Sequence, residues 1–161
     1  MPTLPEKLRK PPVVECIFEV RFPPAKEGAG ELLTGLLYSK LGDFEKIDAL
    51  PAANIPAPVR ETDPNLRYTF ARRLSHGNER VFVGDRSAAF SQVGEYGGWT
   101  QFRAKCTRFL RALDETRLLG TMERYSLKFT NVIDSKSLAP LNAHFELGGS
   151  TVACTPNAQQ F

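Results

Sequence analysis

Residues 122–133 read MERYSLKFTNVI. In an extended segment Tyr125, Leu127, Phe129 and Ile133 fall on one side, with Asn131 the exception, and Arg124, Ser126, Lys128 and Thr130 fall on the other. A period of two marks a β-strand with one face against a core and one in water. The sequence therefore predicts that Tyr125, Leu127 and Phe129 are buried. The opposite, wet face is cationic and rich in hydroxyl groups.

The rest of the chain supplies elements to pair with this strand. Residues 13–22 put Val14, Cys16, Phe18, Val20 and Phe22 on one phase, and Pro23-Pro24 end the run. In residues 28–42, Leu33, Leu36, Leu37 and Leu41 recur at helical spacing, and Gly42 is placed to stop the helix. Residues 48–64 carry four prolines and read as a loop with a short strand at 59–61. From 66 to 74, Leu66, Tyr68, Phe70 and Leu74 read as inward and Arg67, Thr69 and Arg73 as outward. His76, Gly77 and Asn78 turn the chain into a return strand at 79–84, and Asp85-Arg86 turn it again into 87–93.

A second helix is predicted over 99–116, with Trp99, Phe102, Cys106, Phe109, Leu110 and Leu113 as its buried stripe. One more strand is expected within 138–147. The order β-α-β-β-β-α-β predicts an α+β fold: an antiparallel sheet of about five strands with two helices packed on one face. Residues 1–12 should lead in as an extended segment. Residues 1–147 are expected to form one domain, and 148–161 (GGSTVACTPNAQQF) a flexible tail.

Bulk properties fit one folded domain of 161 residues, with 42% hydrophobic and 24% charged residues. The net charge of +3 permits a polyanionic partner without requiring one. The three cysteines, Cys16, Cys106 and Cys154, form no CxxC pair. Cys16 and Cys106 lie on apolar phases, where a thiol acts as a small hydrophobe, so a reducing, cytoplasmic setting is expected. The first residues lack the apolar core of a secretory leader, and no apolar run is long enough for a membrane helix.

Catalytic signals are weak. Neither Gly28-Ala29-Gly30 nor Gly94-Glu95-Tyr96-Gly97-Gly98 has the GxxxxGK[ST] frame of a phosphate loop. A helix N-terminus after Gly98 could hold an anion, but turning the chain into Trp99 explains these glycines as well. His76 falls in a turn and His144 in a weakly patterned segment beside Glu146, with no supporting group at fixed spacing. Glu15 and Glu19 share a strand face about 13–14 Å apart at ~3.3 Å per residue, too far for paired-carboxylate chemistry. Cross-strand pairing with Arg124 or Lys128 is their expected role. No catalytic, cofactor-binding or metal-binding residue is assigned.

The feature with functional weight is basic surface: Arg67, Arg73, Arg124 and Lys128 on the open sheet face, and Arg103 and Arg111 on the second helix. A solvated helix face is the plain alternative for the helical residues. Two readings follow. One is a non-enzymatic interaction module, docking a protein partner or a second copy through the open sheet face. The other is a nucleic-acid binder using the basic sheet face or helix. An enzyme using Glu15 or Glu19 with a histidine is a weaker third.

Three segments carry a family resemblance: PPVVECIFEVRF at 11–22, YGGWTQF at 96–102 and ERYSLKFTNVI at 123–133. Together they resemble a sporadically distributed family of uncharacterised bacterial proteins. Such proteins open with a PP-hydrophobic-E-x-x-F-E-x-R-F strand and start the middle helix with tryptophan. They continue with an R-hydrophobic-x-L-x-Y-x-N-x-I strand. The match spans most of residues 4–133, Arg124 and Asn131 fit the last pattern, and Phe129 stands where tyrosine is usual. The resemblance implies a defence or mobile-element context and a longer architecture with a second half after the asparagine-containing strand. It implies no activity, cofactor or catalytic residue.

Overall fold

The first strand, β1 (Val13–Arg21), alternates as its sequence requires: Cys16, Phe18 and Val20 are buried and the residues between them are half-exposed. The computed structural model describes residues 11–26, 28–42 and 44–132, together with the backbone of 145–147 and 150–152. The chain divides into two compact units, Met1–Asn131 and Val132–Phe161.

In the first unit, β1 is followed by α1 (Ala29–Leu41), β2 (Lys46–Ala49), a 3₁₀ turn (Pro51–Asn54) and α2 (Ala57–Thr62). Then come β3 (Phe70–His76), β4 (Glu79–Gly84), β5 (Ser87–Val93), α3 (Trp99–Asp114) and β6 (Arg124–Asn131). The strands form one antiparallel six-stranded sheet in the order β2-β3-β4-β5-β1-β6. The fold is α+β as expected, with one more strand and one more helix than the pattern gave. Both lie in or beside the proline-rich segment read as a loop. Prolines there begin short helices, where a missing N–H costs nothing, so the strand expected at 59–61 is part of α2 instead.

One sheet face carries α1 and α3. Leu33, Leu37 and Leu41 of α1 and Phe102, Cys106, Phe109 and Leu113 of α3 join β-strand residues Phe18, Val20, Val81 and Phe90 in one cluster. Phe109 sets its ring edge-on to Phe18, with centroids 6.5 Å apart, and lies 6.2 Å from Phe90. Burying a side chain of this size stabilises by roughly 1.5–3 kcal/mol. Gly42 ends α1 in the left-handed conformation (φ 75°) and donates its N–H to Tyr38 O. Two residues of the expected helical stripes lie outside the cluster: Leu36 is exposed on α1, and Trp99 is 47% exposed at the start of α3.

The alternation at 66–74 misleads by one element. Residues 63–69 are a turn, in which Asp63 Oδ1 accepts from Asn65 N and Asp63 O accepts from Leu66 N and Arg67 N. The strand begins at Phe70, and a register shift at Ala71 reverses its phase. Phe70 therefore faces away from the helices, its ring 5.4 Å from Phe82, while Leu74 remains in the core. Arg67 and Thr69 are turn residues rather than sheet-face residues. This turn crosses one end of the helix-free face. Tyr68 O accepts from Ser87 Oγ, and a Cβ on Gly84 would collide with the Thr69 carbonyl oxygen.

The second unit contributes the hairpin of β7 (Phe145–Leu147) and β8 (Ser150–Val152). The first falls within the strand expected at 138–147, and the second lies in the stretch read as a tail. Residues 1–10, Ile133, His144 and Cys154 lie outside the described residues.

Candidate interaction edge

The six basic residues picked from the sequence do not share a surface. Arg67 is half-buried in the 63–69 turn. Arg73 is on the helix-free face, but its Nη2 is 2.9 Å from Asp48 Oδ2 and its charge is matched. Asp48 also takes Lys46 Nζ at 2.7 Å, and these two partners, Lys46 first, hold its carboxyl below the ordinary value of 3.8. Arg124 and Lys128 lie on β6, four strand spacings from β3, or about 19 Å at ~4.8 Å each. Arg103 and Arg111 belong to the exposed side of α3, in the helix layer.

The helix-free face is a mixed-charge surface. Glu19 Oε1 binds Arg21 Nε at 2.7 Å, and Glu15 Oε1 accepts from Ser91 Oγ at 3.0 Å. Neither glutamate pairs with Arg124 or Lys128 as expected. The register places Ser126 opposite Glu19 and Thr130 opposite Glu15. Among the described residues Arg124 and Lys128 have no ion pair, and no group of His, Cys, Asp or Glu could hold a metal ion. Burial raises the Cys16 and Cys106 thiols to about 11, which keeps both protonated and unreactive at neutral pH.

A cleft of about 90 Å³ is lined by Phe44, His76, Glu79, Lys105 and Phe109. Its ammonium is already held by Glu79 at 2.8 Å and Gln92 at 3.0 Å. An open groove of about 570 Å³ between the end of α1 and α3 holds Lys40, Arg103, Thr107, Arg111 and Glu115. Lys40 bonds Glu115 at 2.9 Å and holds its carboxyl below the ordinary 4.5.

The largest departure from expectation is at β6. Tyr125 is 68%, Leu127 43% and Phe129 38% exposed, although all three stand on the face that bears the helices. On the neighbouring strand their partners Val20, Phe18 and Cys16 are buried. The helix layer reaches β1 and stops near β6, where Phe129 touches Tyr96 and Phe102 edge-on, each at 6.0 Å.

Among the described residues, the outer backbone of the same three residues also has no partner strand. Gly94 N donates to Val14 O at 2.8 Å, and Phe22 N donates to Arg86 O at 3.0 Å. Bonded positions alternate along an antiparallel ladder, so the even-numbered residues of β1 bond to β5 and the odd-numbered ones to β6. The β6 partners of Glu15, Ile17, Glu19 and Arg21 are Thr130, Lys128, Ser126 and Arg124. The N–H and C=O groups of Tyr125, Leu127 and Phe129 therefore point away from β1. Among the described residues no strand pairs with that outer side.

Among the described residues, this α+β unit thus presents an eight-residue edge strand with exposed apolar side chains and unpaired backbone groups on the same residues. Comparison with protein-family models, with curated proteins and with solved structures gives no match.

Proposed function

We propose that the protein is a non-enzymatic interaction module whose partner adds a strand to the outer edge of β6. The observation that carries this reading is the coincidence at Tyr125, Leu127 and Phe129 of exposed apolar side chains with outward N–H and C=O groups. Strand addition uses such a pair of features: main-chain bonds give affinity and alternate side chains give selectivity. On the helix-free face, the docking surface the sequence suggests, Arg21 and Arg73 are already paired with Glu19 and Asp48. The reading keeps the reducing cytoplasm as the setting, and the family resemblance adds a bacterial defence or mobile-element context to the same proposal.

The test uses ten-residue peptides selected on the full chain from a random display library, with binding measured by fluorescence polarisation. Peptides of alternating apolar pattern should bind and slow amide exchange at Tyr125, Leu127 and Phe129. Leu127→Pro removes an outward N–H without touching the ladder to β1, and should abolish binding. Peptides that bind Leu127→Pro unchanged would place the interaction elsewhere.

A second reading has one observation behind it. Arg103, Thr107 and Arg111 repeat every four residues along the α3 groove, a spacing suited to successive phosphates. Single-stranded DNA binding that weakens steeply with salt and is lost in the Arg103→Gln/Arg111→Gln double variant would favour it. Among the described residues no helix is long and apolar enough to cross a membrane.

A further inference from the structure

An exposed strand edge does not by itself name its partner, but the order of residues along β6 does so. Centred on Leu127, the segment from Arg124 to Thr130 has aromatic residues two places away on either side, Tyr125 and Phe129. One place away are Ser126 and Lys128, and three places away Arg124 and Thr130. A strand with this arrangement complements its own reverse.

Resting on the edge reading, we propose that the strand completing β6 is β6 of a second copy. The two strands run antiparallel, with Leu127 opposite Leu127 at a twofold axis normal to the sheet. Three requirements select that register. An axis normal to the sheet keeps both helix layers on one side, so odd-numbered residues must meet odd-numbered ones. The outward groups of Tyr125, Leu127 and Phe129 then meet as bonded pairs: Tyr125 with Phe129, Leu127 with Leu127, and Phe129 with Tyr125. Each pair exchanges both bonds, and the apolar side chains of the two copies join on the helix side.

The third requirement is charge. In this register Lys128 faces Ser126 and Arg124 faces Thr130, so every cation meets a hydroxyl. A slip in one direction sets Arg124 opposite Lys128, and a slip in the other sets Lys128 opposite Lys128. Like charges directly opposite destabilise a pair of strands. An unrelated strand could match the apolar set. A second copy matches the apolar face, the outward bonds and the cation positions together, and it closes as a symmetric pair with no further edge at the junction.

The test uses the full chain with Cys154→Ser, because Cys16 and Cys106 are buried. Ser126→Cys and Lys128→Cys are made separately, oxidised alone and as a mixture, and the disulfide-linked dimer is quantified. Position 126 of one copy faces 128 of the other at a non-bonded pair with Cα atoms about 4.5 Å apart, against about 7–8 Å for diagonal neighbours, so the mixture should cross-link at least about fivefold faster than either variant alone. Sedimentation should show a monomer–dimer equilibrium that Leu127→Lys shifts to monomer. Rapid cross-linking of Ser126→Cys alone, or of Lys128→Cys alone, would mean a slipped register and overturn the pairing. Monomer at every concentration, with no cross-linking in the mixture, overturns the second copy as partner. If display-selected peptides still bind at β6 in that case, the edge reading survives; if they do not, both readings fall.

Discussion

The two ends of the sheet solve the same problem in opposite ways. At one end β2 is four residues long, stops at Leu50-Pro51, and carries Lys46 and Asp48 paired to each other. Short length, charge and a nearby proline are the usual means of making an edge unattractive to other strands. At the other end β6 is twice as long, contains no proline, and exposes Tyr125, Leu127 and Phe129 on the helix side. Its two cations stand on the opposite face, where they leave the apolar side chains unguarded. An edge is made quiet or available by where its charges fall, and here only one end is quiet.

The contrast is broken most forcefully on the shared helix-side face. Phe109→Ala, on the sheet-facing side of α3 at 1% exposure, should lower unfolding free energy by about 3–5 kcal/mol in urea titrations. Tyr125→Ala, on the helix side of β6, should change it by no more than about 0.5 kcal/mol in the monomer. Equal losses would mean that β6 is covered after all.

The next effect concerns the excursion that follows β2. Arg60, 6% exposed, bonds Asp85 Oδ2 at 2.8 Å, Ala52 O at 3.0 Å and also Ile55 O. Arg60→Ala leaves those acceptors unmatched and should cost about 2–3 kcal/mol, read from the same titrations, with self-association at β6 unaltered. Loss of dimer in this variant would show that the two ends are coupled.

Association separates the edges directly. Leu127→Lys should weaken it by about tenfold or more, about 1.4 kcal/mol, by sedimentation equilibrium. Ile47→Lys, also on an edge strand and 46% exposed, should leave it unchanged.

The smallest effect is a pH dependence confined to β2. Hydrogen bonds from Lys46 and Arg73 lower the folded-state pKa of Asp48 below its ordinary 3.8. The ionised form is therefore favoured by folding. Its contribution is present above that ordinary value and is lost as pH falls through the lowered one. Asp48→Asn should flatten the acid limb of the urea midpoint slightly. An acid limb identical in wild type and variant would show that these ion pairs do not stabilise the edge.

Much of this architecture could be read from residue order. The alternation of β1, the hairpin turn at Gly77-Asn78 and the stripe of Phe102, Cys106, Phe109 and Leu113 all follow from local periodicity. Errors arose where a local pattern had two meanings. Pro56 and Pro58 can punctuate a loop or start α2, and Leu66 and Tyr68 can continue a strand or belong to a turn fixed by Asp63. At the candidate edge the local pattern misleads for a different reason. Tyr125, Leu127 and Phe129 alternate as a buried face must, and nothing in residues 122–133 says that no helix lies above them. A signal was available in the counts: two helices about 10 Å across cover about four strands at ~4.8 Å, so even the expected five-stranded sheet leaves an outer strand bare.

The sequence by itself determined which side chains share a face of each strand and helix, because that follows from backbone periods of 2 and 3.6 residues. Only the tertiary structure decided which apolar face is covered. Burial depends on strand order and on where α3 lies across the sheet, and placing β6 at the outer edge beside β1 turned an expected core strand into an open one. The same step separated Arg73 from Arg124 and Lys128, because charges close in a sequence pattern can be several strands apart in a sheet.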